Sequence, residues 1–161
     1  MAHNEVCVIG AGPCGLTTVK NLVQAGVTDI KCHEAQRELG GLWAYSPDPA
    51  RASVYEAAHT ISSKHLSQFR DFPMPEAYPD FPSHRQVLAY MRAYAERFAL
   101  AEHIHIGSRV TRARRAAEGG WVIEGEDETG PFRDTADHLI VCSGHHRAAA
   151  LPQNTAGFSG Q

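Results

Sequence analysis

The sequence predicts an α/β fold, a Rossmann-like sheet carrying a small β-meander, and three observations predict it. An apolar β-branched run, Val6 to Ile9, ends in Gly10-Ala11-Gly12-Pro13-Cys14-Gly15, and a helix-compatible segment from Leu16 to Gln24 follows. A second short strand, Asp29 to His33, delivers the acid Glu34, nineteen residues past Gly15. Far along the chain, His138-Leu139-Ile140-Val141-Cys142 reads as a buried strand, consistent with a parallel neighbour of the first.

Taken in order, the first element is a strand–turn–helix whose turn suits a dinucleotide pyrophosphate. Gly10 permits the tight turn, Gly12 lets backbone approach the phosphates without a Cβ, and Gly15 lets helix and strand pack closely. The helix N-terminus adds free N–H groups and the positive end of a dipole. Glu34 is placed to accept from an adenosine ribose hydroxyl. A lone G-x-G-x-x-G is a weak signal; a strand before it, a helix after it and an acid at this distance make it specific. Gly26 is the expected residue just past the helix. Cys14 lies where a helix start stabilises a thiolate, but phosphates covering it suit a plain small residue.

Leu39-Gly40-Gly41-Leu42-Trp43 admits two readings. Two glycines before a bulky aromatic fit backbone pressed on a flat ligand with Trp43 covering it, and equally a turn followed by a core tryptophan. From Tyr45 to Pro82 the chain is irregular, with Pro47, Pro49, Pro73, Pro75, Pro79 and Pro82 interleaved with Tyr55, Phe69, Phe72, Tyr78 and Phe81. It is too apolar for a disordered linker, so residues 45–82 form a folded excursion that packs on the domain. Ser83-His84-Arg85-Gln86 fits a capping box, and Val87, Leu88, Met91, Tyr94, Ala95 and Phe98 recur at helical spacing, giving a helix over 83–100. Short strands follow over 103–135: His103 to Val110, Thr111 to Ala116, a turn at Gly119-Gly120, Trp121 to Glu124, a turn near Gly130-Pro131 and Phe132 to Thr135. This meander is inserted before the return strand, 138–144, whose end at Ser143-Gly144 falls on the carboxyl edge where open α/β sheets bind ligands.

Composition narrows the function. A chain of 161 residues with net charge −3 is one domain or a piece of one, and no apolar run reaches membrane-spanning length. Arg112, Arg114 and Arg115 fit the solvated face of a strand, so neither nucleic acid nor a membrane is an expected partner. Cys7, Cys32 and Cys142 sit inside apolar strand patterns as reduced small hydrophobes, no C-x-x-C pair occurs, and residues 1–5 lack the pattern of a secretory signal. The expected compartment is the cytoplasm. His103 and His105 share a strand face and His145 and His146 diverge, without carboxylate or cysteine partners at ligand spacing, so no metal is expected.

The string GAGPCG at 10–15, Glu34, GGLW at 40–43, the stretch 62–100 with its D-F-P-x-P at 71–75, and VCSGHH at 141–146 resemble flavin-containing monooxygenases along nearly the whole chain. The last two segments are more specific than the glycine loop. The resemblance implies a Rossmann-like FAD-binding domain of glutathione-reductase type, here incomplete, with FAD on this first unit and NADPH on a second. It implies an oxidoreductase that reacts reduced flavin with O2 and oxygenates soft nitrogen or sulfur nucleophiles, small molecules, through a flavin C4a-hydroperoxide. Relatives use the same intermediate for Baeyer–Villiger oxidation or N-hydroxylation.

Carried over by residue, the resemblance implies that Gly10, Ala11, Gly12, Pro13, Cys14 and Gly15 hold the FAD pyrophosphate, with Glu34 on the ribose. Gly41, Leu42 and Trp43 come near the riboflavin end, and Thr60 and Ile61 fall at the nicotinamide–flavin interface. Val110 approaches the adenine through its backbone, and Ser143 and Gly144 pass close to the flavin phosphates. Where the family pattern is T-N-S-S-K this chain has Thr60-Ile61-Ser62-Ser63-Lys64, so Ile61 cannot supply the asparagine's hydrogen bond. Gly157-Phe158-Ser159-Gly160-Gln161 resembles the first half of the family's F-x-G-x-x-x-H-S, and no second G-x-G-x-x-G occurs. The expectation is an N-terminal part of a longer enzyme, inactive alone, with its NADPH site mostly downstream; a truncated, non-catalytic flavin- or nucleotide-binding module is the alternative. A single-Rossmann dehydrogenase fits less well, because no Tyr-x-x-x-Lys dyad is present and Glu34 repels a 2′-phosphate. Acid–base residues are unassigned; Ser62, Ser63, Lys64 and Asp71 suit bonding to the backbone of a long loop.

Overall fold

A computed structural model describes residues 2–48 and 50–145. His146 and the segment 157–161, both part of the resemblance, lie outside the described residues. The first strand, β1 (His3–Ile9), passes through Gly10 and Gly12 into α1 (Pro13–Gln24), and β2 (Ile30–Glu34) returns parallel to β1. Pro13 stands at the first helical turn, where a missing N–H costs nothing. The helix ends as its glycine demands: Gly26 takes φ +89°, its N–H donates to the Val23 carbonyl at 3.0 Å, and the Val27 N–H donates to Leu22 at 3.1 Å.

The remaining elements are a four-residue helix α2 (Lys64–Ser67), α3 (His84–Arg97), β3 (Ile104–Ile106), β4 (Arg109–Arg115), β5 (Trp121–Asp127) and β6 (Gly130–Val141). The described strands form one sheet in the order β3-β2-β1-β6-β5-β4. Three expectations change. The segment Phe132–Thr135 and the return run from His138 to Val141 are one twelve-residue strand, β6, whose first part pairs antiparallel with β5 and whose second pairs parallel with β1; Cys142 lies just past its end. Ile104–Ile106 leaves the meander and pairs parallel with β2 at the sheet edge. The irregular excursion contains α2. Periodicity misjudged β6 because Thr135, Ala136 and Asp137 break the apolar run, whereas both neighbours still satisfy their backbone groups.

Alternation along β1 sorts the two cores. Val6 and Val8 face α1 and α3, in a cluster with Leu16, Val19, Tyr90, Met91, Tyr94 and Leu100. Cys7 faces the opposite side, with Ile123 of β5 and Ala136 of β6. Burial raises the Cys7 thiol to about 12 and pushes Cys32 up as well, and all four cysteines are free, so these two are inert fillers. The capping box is complete: the Gln86 N–H donates to Ser83 Oγ and the Ser83 N–H to Gln86 Oε1 at 2.9 Å.

The excursion is held down by named contacts rather than by regular structure. Lys64, 4% exposed, donates its ammonium to the carbonyls of Glu76 (2.7 Å) and Tyr78 (3.0 Å). Asp71 forms an ion pair with Lys20 of α1, which holds its carboxyl below the usual range. Phe72 joins an aromatic cluster with Tyr90, Tyr94 and Phe98. The polar residues of the distinctive stretch are therefore staples of the loop. No helix among the described residues is long and apolar enough to cross a membrane.

Opposite the main core, His33 is buried, stacked on Phe132 at 4.8 Å, bonded through Nδ1 to Ser108 Oγ at 2.7 Å, and 3.6 Å from the Asp134 carboxylate that pairs with Lys31. Burial, with Lys31 close by, lowers its pKa from the ordinary 6.5 to about 4. Between those values the unfolded chain binds the extra proton, so stability is full above pH 6.5 and falls as pH drops, by on the order of 3 kcal/mol at pH 4. Urea unfolding at a series of pH values should show that decline in the wild type and a shallower one in His33→Gln; equal slopes would remove His33 as its cause.

Candidate functional site

The carboxyl ends of β1, β2 and β6 bring the glycine loop, Glu34 and Ser143 to one edge of the sheet. Each glycine there answers a different demand. Gly10 has φ +100°, and a Cβ on it would lie 2.5 Å from the Cys142 carbonyl of the neighbouring strand end. A Cβ on Gly15 would lie 1.8 Å from the Gly10 carbonyl, so the first turn of α1 sits directly on the end of β1. Gly12 is different. Its backbone is ordinary extended chain (φ −75°, ψ −171°), and among the described residues a Cβ would meet only Gly41, at a comfortable 3.5 Å. The fold's own packing therefore leaves room for a side chain at Gly12 and none at Gly15.

The N-terminus of α1 has no side-chain cap and no acidic residue in its first turn. Among the described residues no side chain compensates its N–H groups and positive dipole end, which is the arrangement an anionic diphosphate satisfies. Pro13 and exposed Cys14 frame this turn.

Glu34 does more than sequence spacing indicates. Its Oε2 accepts the Ala11 N–H at 2.7 Å and its Oε1 the Gln36 N–H at 2.7 Å, while its main-chain carbonyl accepts from Ser108 at 2.8 Å. The carboxylate thus clamps the glycine loop to the end of β2, and each oxygen keeps a further lone pair for an incoming hydroxyl. The Ala11 carbonyl in turn accepts the Gly40 N–H at 3.0 Å.

Gly40 and Gly41 are needed for contacts within the protein. A Cβ on Gly40 (φ +113°) would lie 2.5 Å from Leu88 Cδ1 of α3, and one on Gly41 (φ +58°) 3.1 Å from the Gly12 Cα. The following single turn, Gly41–Trp43, leaves Leu42 half-buried and packs Trp43 in part against the main core. Val110 is half-buried at an irregularity of the β4–β5 register, and Ser143 and Gly144 continue β6 past the loop. Thr60 and Ile61 stand on a separate element, a short bridge between His59 and Ser83. The bridge divides them: Thr60 is buried, its Oγ1 without a hydrogen-bond partner among the described residues, whereas Ile61 is fully exposed at 101%.

Sequence reasoning missed two participants. Ser108 ties β2 to the site through Glu34 and His33, and nothing in its local pattern signals this. His84 was legible only as a capping-box residue, yet it is buried at the first turn of α3 with neither ring nitrogen hydrogen-bonded among the described residues.

Comparison with known proteins gives a consistent result. The model of the family described as flavin-binding monooxygenase-like matches residues 3–160. Flavin-containing monooxygenase 5 of Rattus norvegicus is 35% identical over 158 residues, covering 94% of this chain and 30% of that protein. Dimethylaniline monooxygenase [N-oxide-forming] 2 of Rattus norvegicus is 36% identical over 154 residues, covering 92% of this chain and 29% of that protein. The chain thus spans about a third of the length of these curated relatives. Among solved structures, S-allyl-L-cysteine S-oxygenase from Allium sativum superposes with a TM-score of 0.82 at 26% identity, covering 89% of this chain and 37% of that one.

The clamp has a measurable consequence without any ligand. Glu34→Gln places an amide NH2 against a backbone N–H, and the loss of a charged acceptor should lower stability by about 2 kcal/mol. Urea denaturation of the chain without added nucleotide reads this directly; an unchanged midpoint would mean that the Ala11 and Gln36 bonds contribute nothing to the fold.

Proposed function

The chain belongs to the flavin-binding monooxygenase-like family, and from that premise we propose that it is the FAD-binding portion of an NADPH-dependent flavin monooxygenase that oxygenates soft nitrogen or sulfur nucleophiles with O2. The observation that carries the reading is Gly12, where the fold has room for a side chain and the sequence supplies none, beside a helix N-terminus without a cap. The names of the relatives, an N-oxide-forming enzyme and an S-oxygenase, support the substrate class. Free cysteines, two of them buried, fit the cytoplasm.

In this reading the backbone at Gly12, Pro13, Cys14 and Gly15 receives the diphosphate of FAD on the dipole of α1, with Gly10 and Ala11 setting the loop. Glu34 accepts a ribose hydroxyl on the lone pairs its two backbone bonds leave free, so the same carboxylate shapes the loop and orients the sugar. The Val110 backbone borders the adenine. Ser143 and Gly144 flank the phosphates opposite Gly10. Gly41, Leu42 and Trp43 carry the ligand away from the diphosphate, and Thr60 and Ile61 would border its ring end, where NADPH, held mostly by residues outside these, would supply reducing equivalents. When bound, the flavin supplies electron transfer and oxygen activation. The chain's own residues bind it, orient it and keep one side of it dry. Ile61, fully exposed, carries no side-chain amide with which to hydrogen-bond the ring end.

The purified chain should take up FAD near 1:1, seen as flavin absorption bands that survive gel filtration; a colourless, folded protein after incubation with FAD would sink the proposal. Two alanine substitutions separate fold from ligand. Gly12→Ala should melt close to wild type and lose at least tenfold in FAD affinity, because its methyl occupies the path of the phosphates. Gly15→Ala should destabilise the chain by about 3 kcal/mol or more, because its methyl meets the Gly10 carbonyl. Full FAD affinity in Gly12→Ala would show that the loop is not the cradle.

A further inference from the structure

On the FAD reading, one adenosine is held by two groups from different segments, the Glu34 carboxylate and the Val110 backbone. Glu34 ends β2, whereas Val110 stands near the start of β4, at the other end of the sheet order. They are joined at Gly107 and Ser108, where the chain leaves β3 and turns onto β4. The Gly107 N–H donates to the Gln36 carbonyl and the Ser108 N–H to the Glu34 carbonyl, both at 2.8 Å. The turn is thus bonded along the main chain of the residue that carries the ribose acceptor.

Side chains fix the same joint. Ser108, 5% exposed, meets His33 Nδ1 through its Oγ at 2.7 Å. The Asp134 carboxylate, 3.6 Å from His33 Nε2, favours the ring proton on that nitrogen, so Nδ1 accepts and the hydroxyl donates. The imidazole is stacked on Phe132 of β6, with 4.8 Å between centroids and 3° between planes. Phe132 lies in turn against Gly125 of β5, where a Cβ would collide with both the ring and the Arg109 carbonyl. The first residues of β4 are therefore seated on the end of β2 through one imidazole and one hydroxyl.

We infer that Ser108, held by His33, is a positioning residue for the adenosine end of the bound dinucleotide, setting the ribose acceptor and the adenine wall at the spacing that one nucleoside spans. The inference rests on the reading that this edge of the sheet binds FAD. Neither residue touches the ligand. A dinucleotide anchored at its diphosphate gains fully from ribose and adenine contacts only when both are in place before it arrives. Without the hydroxyl a buried ring nitrogen loses its partner, and the turn shifts to satisfy it, carrying Val110, two residues on, with it.

Calorimetric titration of ADP, FAD and inorganic pyrophosphate into the 161-residue chain and into Ser108→Ala, Ser108→Thr and His33→Phe tests this. Pyrophosphate engages the diphosphate site and has no adenosine. His33→Phe keeps a flat ring on Phe132 while removing the acceptor, so the test survives should Ser108→Ala fail to fold. Ser108→Thr keeps the hydroxyl, with a cavity of about 290 Å³, lined by Ser108, Lys31, His105 and Phe132 among others, to receive its methyl. The expected result is ADP and FAD affinity lowered by one common factor, roughly tenfold, in Ser108→Ala and His33→Phe. Ser108→Thr should bind as the wild type does, and pyrophosphate affinity should be the same in all four proteins. Undiminished ADP binding in Ser108→Ala or His33→Phe overturns the inference and leaves the adenosine site standing. An equal loss of pyrophosphate also overturns it, since the pair would then act through the whole fold. So does a loss in Ser108→Thr matching that in Ser108→Ala, since the hydroxyl would not be what matters. If the wild type binds ADP no better than pyrophosphate, or binds neither, the FAD reading of this edge falls, and the inference with it.

Discussion

The structure turns on the contact of the Gly15 Cα with the carbonyl of Gly10, a place where any side chain would come within 1.8 Å of the oxygen. That contact lets α1 begin directly over the end of β1 instead of beside it. The consequence is electrostatic as much as steric: the helix starts at the carboxyl edge of the sheet, and no side chain among the described residues caps its first N–H groups. That helix start is open to solvent at Cys14 and half-buried at Gly12 and Pro13. Here the sheet edge around it is shaped by Glu34, whose carboxylate takes one N–H from the loop and one from the chain beyond β2. The loop is thereby tied to the end of β2 by the protein's own bonds, and such pre-organisation reduces the ordering that binding would otherwise require.

A second layer presses on the first. The segment from Glu38 to Tyr45 is held between α3 on one side and Gly12 on the other, and both of its glycines are accounted for by those neighbours. α3 is itself docked on α1 and the sheet through Tyr94 and Met91, and the proline-rich excursion is tied to this pair by Lys64, Asp71 and the aromatic cluster. Residues far from the loop in sequence therefore set the position of the loop's outer wall. The D-F-P-x-P and serine–lysine segments, so distinctive in the chain, are the fastenings of this layer.

Local chemistry was legible wherever one residue type answers one local demand. Gly10, Gly15 and Gly26 read correctly because only glycine takes those backbone angles or approaches, and the Ser83–Gln86 box read correctly because both of its bonds lie within one turn. The strand β6 did not, since its polar middle is paired on both sides by neighbours that no window of sequence contains. Nor did the division of Thr60 from Ile61, which follows from pairing with residues 82–84, more than twenty positions away.

By itself, then, the sequence determined the α/β class, the strand–turn–helix with its acid, and the family, because these depend on backbone geometry, short-range spacing and characteristic strings. Tertiary structure alone decided that Glu34 is a clamp as well as an acceptor, that Gly12 is the one glycine of the loop whose side chain the fold could accommodate, and that Ser108 seats the start of β4 on the end of β2. Each of those facts is a distance between chain segments, and a distance across the fold is set by packing that propensity and spacing do not encode.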